Sequence, residues 1–257
     1  MMAKAQRWLA VSAFVCALVL SQTSGANAAC RQALVFALDV SGSVDDQEYA
    51  LQLQGLAAAL DSSDVRDVLF QSPETPVYVT VFEWSGNAYQ RLIIDWTALS
   101  DEATLNNVTL RLRGWQRQSA PQTTSLGGAI NKSIDLLARA PNCWKRTIDI
   151  SGDGMNNDWP QPQALHGSPA LSGVTINALV IGIDILNRMD HEDSDIAELT
   201  AYFKSQVIHG PGAFIEVALG FNDYAAAMTR KLLRELQSFA IGGAHPNTQP
   251  PAPMLPG

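Results

Sequence analysis

Three short stretches of this 257-residue chain gather oxygen-bearing side chains where an apolar run gives way to a loop. The first is Ala37-Leu38-Asp39-Val40-Ser41-Gly42-Ser43. The second is Thr123-Thr124-Ser125-Leu126-Gly127-Gly128, and the third is Ile150-Ser151-Gly152-Asp153-Gly154-Met155-Asn156-Asn157. A carboxylate and two hydroxyls at alternate positions of a tight loop form half of a hard-cation site, of the kind that takes Mg²⁺ or Mn²⁺. Thr123 or Thr124, just before paired glycines, and Asp153, between two glycines, offer the other half. Alone, the Asp39, Ser41, Ser43 spacing is equally an N-cap and turn, because Ser and Gly are ordinary turn residues. The conjunction of three such loops is far more specific.

To act together the loops must lie at one edge of a sheet. Ala33 to Leu38 is an uncharged run too short for a buried helix, and it predicts a strand covered on both faces, as in a parallel sheet. Val77 to Phe82, Arg146 to Ile150, Val174 to Ile183 and Ala213 to Leu219 read as further strands. Ser85-Gly86-Asn87 turns into Tyr89 to Trp96, which predicts a hairpin. Helical patterns follow Asp45, run from Ser100 (as N-cap) to Arg113, lead through Ile130, Ile134 and Leu137, and cover 194–206 and 223–239. Asp64 to Phe70 is ambiguous, Pro160 to Leu171 at best partly helical, and Asp184 to Asp195 an acidic loop. Strands alternating with helices, plus one early hairpin, define a doubly wound α/β domain with a mostly parallel six-stranded sheet and one antiparallel edge strand. Asp39 and Asp153 then fall at C-terminal strand ends, where open α/β sheets place their ligands.

Composition bounds the rest. With 47% hydrophobic and 16% charged residues the chain suits one domain with a sizeable core. Lys4 and Arg7 precede an apolar run, Trp8 to Leu20, and Ala26-Asn27-Ala28 follows, which reads as a secretory signal over residues 1–28. That run is shorter than the roughly 20 residues a membrane span needs, and no later segment qualifies. The domain is expected over 29–241 and a disordered Pro-rich tail over 242–257. Loss of residues 1–28 removes Lys4 and Arg7 and no acid, leaving 15 basic against 25 acidic residues, net −10. Such a surface argues against nucleic acid. Cys16 leaves with the leader. Cys30 lies nine residues before Asp39 and Cys143 ten before Asp153, so both would sit near the opposite ends of neighbouring strands and could bridge. A lipid-modified Cys30 is the rival.

At these residues the chain resembles the von Willebrand factor type A (VWA) domain with its metal-ion-dependent adhesion site, in an exported bacterial branch, over about residues 31–240. The resemblance implies Asp39, Ser41, Ser43, Thr124 and Asp153 as metal ligands, with Thr123 the alternative threonine. It also implies a non-enzymatic role in which a protein partner contributes an Asp or Glu to a bound Mg²⁺ or Mn²⁺, in the periplasm or outside the cell. Where the family commonly reads Thr-Asp-Gly on the third loop, this chain reads Ser-Gly-Asp-Gly. The competing readings are a metal-dependent phosphohydrolase using Asp39, and a structural domain whose site is unused. Ser41 stands where an aspartyl phosphatase would carry its second acid, and no Gly-x-Gly-x-x-Gly or Walker loop is present. Asp149, mid-strand among isoleucines, needs a partner of its own, near the metal or elsewhere. Asn156 and Asn157 are expected to shape the third loop, the alternative being a hydrogen bond to a ligand, and Asp45 to cap a helix, the alternative being a place at the site's border. Trp84, Trp115 and Trp159 either pack or line a rim. His166, His191, His209 and His245 show no ligand spacing.

Overall fold

The computed structural model describes residues 30–182 and 192–237. The proposed leader (1–28), most of the acidic loop, Ile183, His191, His245 and the Pro-rich tail lie outside these residues. Six strands form one sheet: β1 (Cys30–Asp39), β2 (Val77–Trp84), β3 (Gln90–Leu99), β4 (Cys143–Gly152), β5 (Val174–Ile181) and β6 (Ile215–Ala218). Their order is β3-β2-β1-β4-β5-β6. Every neighbouring pair is parallel except β2 with β3, so the expected antiparallel edge strand is β3.

β1 is the central strand, and all ten of its residues are buried. Its side chains alternate between two cores. Leu34, Phe36 and Leu38 pack on one face, beneath α1 (Asp46–Leu60), α2 (Ser63–Phe70), α3 (Glu102–Arg113) and α6 (Tyr224–Gln237). Ala33, Val35 and Ala37 pack on the other, beneath α4 (Leu126–Leu137) and α5 (Glu192–Gln206). A strand buried on both faces has no polar side to show, which is why the alternation is one of size rather than polarity.

Local signals set the helix starts. Asp45 caps α1 in a capping box: its Oδ1 accepts the N–H groups of Gln47 and Glu48, and Glu48 Oε2 accepts the Asp45 N–H, each at 2.8 Å. α3 is capped by Asp101, whose Oδ1 accepts the Thr104 N–H at 2.8 Å, and not by Ser100 as the sequence suggests. The Ser100 hydroxyl instead donates to Asp101 Oδ2, and a carboxylate is the better complement to the helix dipole. The ambiguous 64–70 segment is helical, and Pro160 to Leu171 holds only two short 3₁₀ turns.

Cys30 and Cys143 are directly opposite in the β1–β4 ladder and form a disulfide, with Cα atoms 4.3 Å apart. It clips the central strands together at the end away from the three loops. No helix among the described residues is long and apolar enough to cross a membrane.

Candidate metal centre

Asp39 ends β1, and β4 runs alongside it to Gly152, so the first and third loops leave the sheet side by side. Gly152 suits this approach, because a Cβ there would stand a tight 3.3 Å from Asp39 Oδ2. The second loop precedes α4, whose N-cap Ser125 accepts the Gly128 N–H through its hydroxyl. The third loop packs on the start of α4 so closely that a Cβ on Gly127 would lie 2.1 Å from the Pro160 carbonyl oxygen.

The five side chains singled out from sequence converge. Thr124 Oγ1 donates to Ser41 Oγ at 3.1 Å, Ser41 Oγ lies 3.4 Å from Ser43 Oγ, and Ser43 Oγ donates to Asp153 Oδ1 at 2.7 Å. Asp39 Oδ1 accepts the Ser41 N–H at 2.8 Å. Thr123, the alternative, turns away: its hydroxyl donates to Asp158 at 3.0 Å. Asp39 and Ser41 are buried, and Thr124 is 4% exposed.

Electrostatics single out Asp39. Its Oδ2 is buried and has no hydrogen-bond partner. Burial pushes its carboxyl well above the usual carboxylate range and Asp153 pushes it further, against the lowering effect of the Ser41 hydrogen bonds. Burial also raises Asp153, which the Ser43 hydroxyl partly offsets. Two acids are thus held beside three neutral hydroxyls, with Asp39, Ser41 and Thr124 buried, Asp153 part-buried and Ser43 exposed at the mouth. A hard dication fits this donor set, since it neutralises both acids and gives Asp39 Oδ2 a partner. Among the described residues, no group of three His, Cys, Asp or Glu side chains gathers elsewhere as an alternative metal site.

Asn156 and Asn157 act on loop structure, as expected, and reach further. Asn156 Nδ2 donates to the Asp158 carbonyl within the third loop. Asn157 Oδ1 accepts the Thr124 N–H and Asn156 Oδ1 the Leu126 N–H, both at 2.8 Å, which fastens the second loop as well. Asp158 adds bonds from Asn87 N, at 3.1 Å, and from Thr123, which hold its carboxyl below the ordinary range. The bonds between loops join segments 30 to 71 residues apart, which no local spacing reveals. Trp84 is core and Trp115 half-buried, while Trp159 stands 70% exposed beside the second loop, its carbonyl accepting from Ser125 Oγ at 3.0 Å. His166 and His209 face each other, half-buried, at 5.0 Å.

Asp149 belongs to a separate, fully buried ion cluster. Lys231 Nζ lies 2.6 Å from Asp149 Oδ2 and 2.8 Å from Glu235 Oε1, and Asn177 also donates to Glu235. Lys145 adds a second ammonium, donating to the Glu235 carbonyl at 3.1 Å. Burial raises Asp149 to about 7 despite Lys231. For Lys231 burial acts downward, but the two acids outweigh it and hold the ammonium above its usual value.

The order of this sheet, with its single antiparallel edge, is that of a VWA-type domain. The chain belongs to the family described as "Protein of unknown function (DUF1194)", whose model matches residues 29–240. No curated protein matches the chain. Among solved structures it is similar to proximal thread matrix protein 1 of the mussel byssus (TM-score 0.53, 15% identity, 81% of this chain and 48% of that one). A second structure of that protein, with a zinc-occupied MIDAS motif, gives a TM-score of 0.50 at 14% identity over 81% of this chain and 46% of that one. The von Willebrand factor type A protein from Catenulispora acidiphila is similar at TM-score 0.52 and 13% identity, over 80% of this chain and 43% of that one. The matches thus span less than half the length of these structures, and they establish a shared fold.

Proposed function

We propose that this chain is an exported, non-enzymatic binding domain that holds Mg²⁺ or Mn²⁺ through Asp39, Ser41, Ser43, Thr124 and Asp153 and captures a protein partner through that ion. The observation that carries this reading is the partnerless Oδ2 of buried Asp39, set beside a second acid and three hydroxyls. When bound, the dication supplies an electrophilic centre that an outside carboxylate can reach. The chain's own residues do the rest. The Ser41 N–H aims Asp39, Ser43 orients Asp153, and the two asparagines hold the Thr124 backbone in register. Three neutral ligands against two acids leave the ion little excess negative charge around it, which favours an added Asp or Glu from a partner. The zinc-occupied MIDAS of a protein with the same fold supports a metal at this sheet edge.

Export agrees with the disulfide, which suits an oxidising compartment such as the periplasm or the exterior. On this reading residues 1–28 are the leader, 29–241 the domain and 242–257 a tail. Two experiments test the role. Titration calorimetry of the mature protein should show Mg²⁺ or Mn²⁺ binding that Asp39→Ala abolishes while circular dichroism stays native. Affinity capture from the native host's extract should return a partner with Mg²⁺ present and lose it with chelator. Equal metal affinity in wild type and variant would refute the ligand assignment, and chelator-insensitive capture would refute metal-mediated binding.

A further inference from the structure

A cavity of about 580 Å³ lies between the first turns of α1, which follow the first loop, and the segment 113–119. The segment reads Arg111-Leu112-Arg113-Gly114-Trp115-Gln116-Arg117, three arginines in seven residues of a chain whose net charge is −8. Tyr49 and Trp115 wall the cavity, with Arg113 and Arg117 at its border.

The wall is built from below. Glu83, 1% exposed, accepts the Tyr49 hydroxyl at 2.7 Å and the Trp115 Nε1–H at 3.0 Å on one oxygen. Its other oxygen accepts Arg91 at 2.7 Å and the Tyr89 hydroxyl at 3.1 Å. Arg91 and Arg111 lie over the Trp115 ring, 4.8 and 4.9 Å from its centre. Neither aromatic ring can turn without breaking a bond to a buried carboxylate, so the cavity is pre-shaped.

Arg117 is held by a neutral carbonyl and an aromatic face as well as by an acid, and Arg113 by one exposed ion pair. Arg117 donates to the Val44 carbonyl at 2.6 Å and lies 5.3 Å over the Tyr49 ring. Its ion pair, at 3.2 Å, is to Asp46, whose side chain is 94% exposed, and a pair so placed is worth little against solvent. Arg113 is 40% exposed and reaches Asp61 only at 3.3 Å. Both guanidiniums can therefore exchange these contacts for an incoming carboxylate, which they match in shape. Gln54, Gln116 and Gln118 also line the cavity, and a primary amide offers the donor and acceptor together that a peptide backbone requires. The volume exceeds that of one side chain and falls in the usual range for bound ligands.

We propose that this cavity is a second recognition site for a short peptide segment carrying a carboxylate, contributed by the partner whose acid engages the metal loops. The two sites are linked through the first loop: Val44, the Arg117 acceptor, follows Ser43 directly, and the Gly42 N–H donates at 3.2 Å to the carbonyl of Gln122, three residues beyond the cavity segment. Assigning both sites to one partner rests on the protein-binding role proposed above. The carboxylate preference of the cavity does not.

The test uses the mature protein and the probe fluorescein-Gly-Glu-Gly-Glu-Gly-amide, read by anisotropy in chelator and in Mg²⁺, with a Gln-for-Glu peptide and inorganic phosphate as comparisons. In chelator the Glu peptide should bind at least about tenfold more tightly than the Gln peptide, and Arg113→Gln and Arg117→Gln should each cost at least about tenfold, the scale of a lost charged hydrogen bond. Arg113 is exposed enough that its variant keeps the fold, and circular dichroism checks both. The proposal is overturned if a folded Arg113→Gln/Arg117→Gln protein binds like wild type, if the Gln peptide binds equally, or if phosphate competes as well as the Glu peptide. If Mg²⁺ fails to strengthen Glu-peptide binding while the arginine dependence holds, the shared-partner assignment and the metal-mediated reading fail and the cavity stands.

Discussion

In an Asp39→Asn protein the oxygen that accepts the Ser41 N–H at 2.8 Å is kept, and what disappears is a charge. The carboxylate is buried, one of its oxygens has no hydrogen-bond partner, and Asp153 adds a like charge. Leaving a buried polar group unsatisfied costs about 1–3 kcal/mol, and more for a charged one. Asparagine keeps a polar atom there but not the charge, so without metal the variant should match or exceed wild type, by up to about 2 kcal/mol. With metal the order reverses. A ligand at 100 times its dissociation constant stabilises the folded state by about 2.7 kcal/mol. For a domain of this size, each kcal/mol moves Tm by roughly 2–4 °C. Wild type should therefore gain about 5–11 °C on adding Mg²⁺ or Mn²⁺ at that excess, and Asp39→Asn less than about 1 °C, by differential scanning calorimetry in matched buffers. A variant destabilised by 3 kcal/mol or more without metal would mean that Asp39 is a structural residue of the turn. A variant that keeps the full metal shift would mean that the ion sits elsewhere. Either result refutes the reasoning.

Cys143→Ser should lose about 4–5 kcal/mol in guanidinium unfolding, because the bridge closes a loop with a sequence separation of 113 residues; wild type in reductant should fall to the same midpoint, and coincident oxidised and variant curves would contradict the staple. Lys231→Met should cost about 3–5 kcal/mol, since it removes the ammonium that lies 2.6 Å from buried Asp149, and a loss under 1 kcal/mol would show that the cluster does not bind its charges tightly. Asp149→Asn tests the pH behaviour of that cluster. The folded Asp149 carboxyl, at about 7, lies above its unfolded value, so the native state holds this proton more tightly. The resulting stabilisation is complete below about pH 4 and is lost as pH rises through about 7, on the order of 4 kcal/mol in all. Denaturant titrations from pH 4 to 8 should thus show wild type losing ground to Asp149→Asn across that window, and a pH-independent difference would rule the titration out.

Much of the architecture was legible because the buried parallel strands are short uncharged runs bounded by turn residues, and β1 is the plainest of them. The five candidate ligands were legible for a related reason: Asp39 and Asp153 interrupt or end such runs, where open sheets expose their loops. Contacts between distant segments were not legible. Arg117 reaching Val44, or Asn157 holding Thr124, depends on loop paths that no periodicity encodes. Lys231 was hidden among basic neighbours in α6, although its spacing to Glu235 and the lone acid among isoleucines at Asp149 were available as signals. Asp39 and Asp149 make an instructive pair. Both are buried acids in neighbouring strands, and burial raises both. Asp149 meets an ammonium at 2.6 Å from the chain itself. Among the described residues, no lysine or arginine pairs with Asp39, and its nearest charged influence is another acid. Since a buried charge needs compensation, the proposed dication would supply to Asp39 and Asp153 from outside what Lys231 supplies to Asp149 from within the fold.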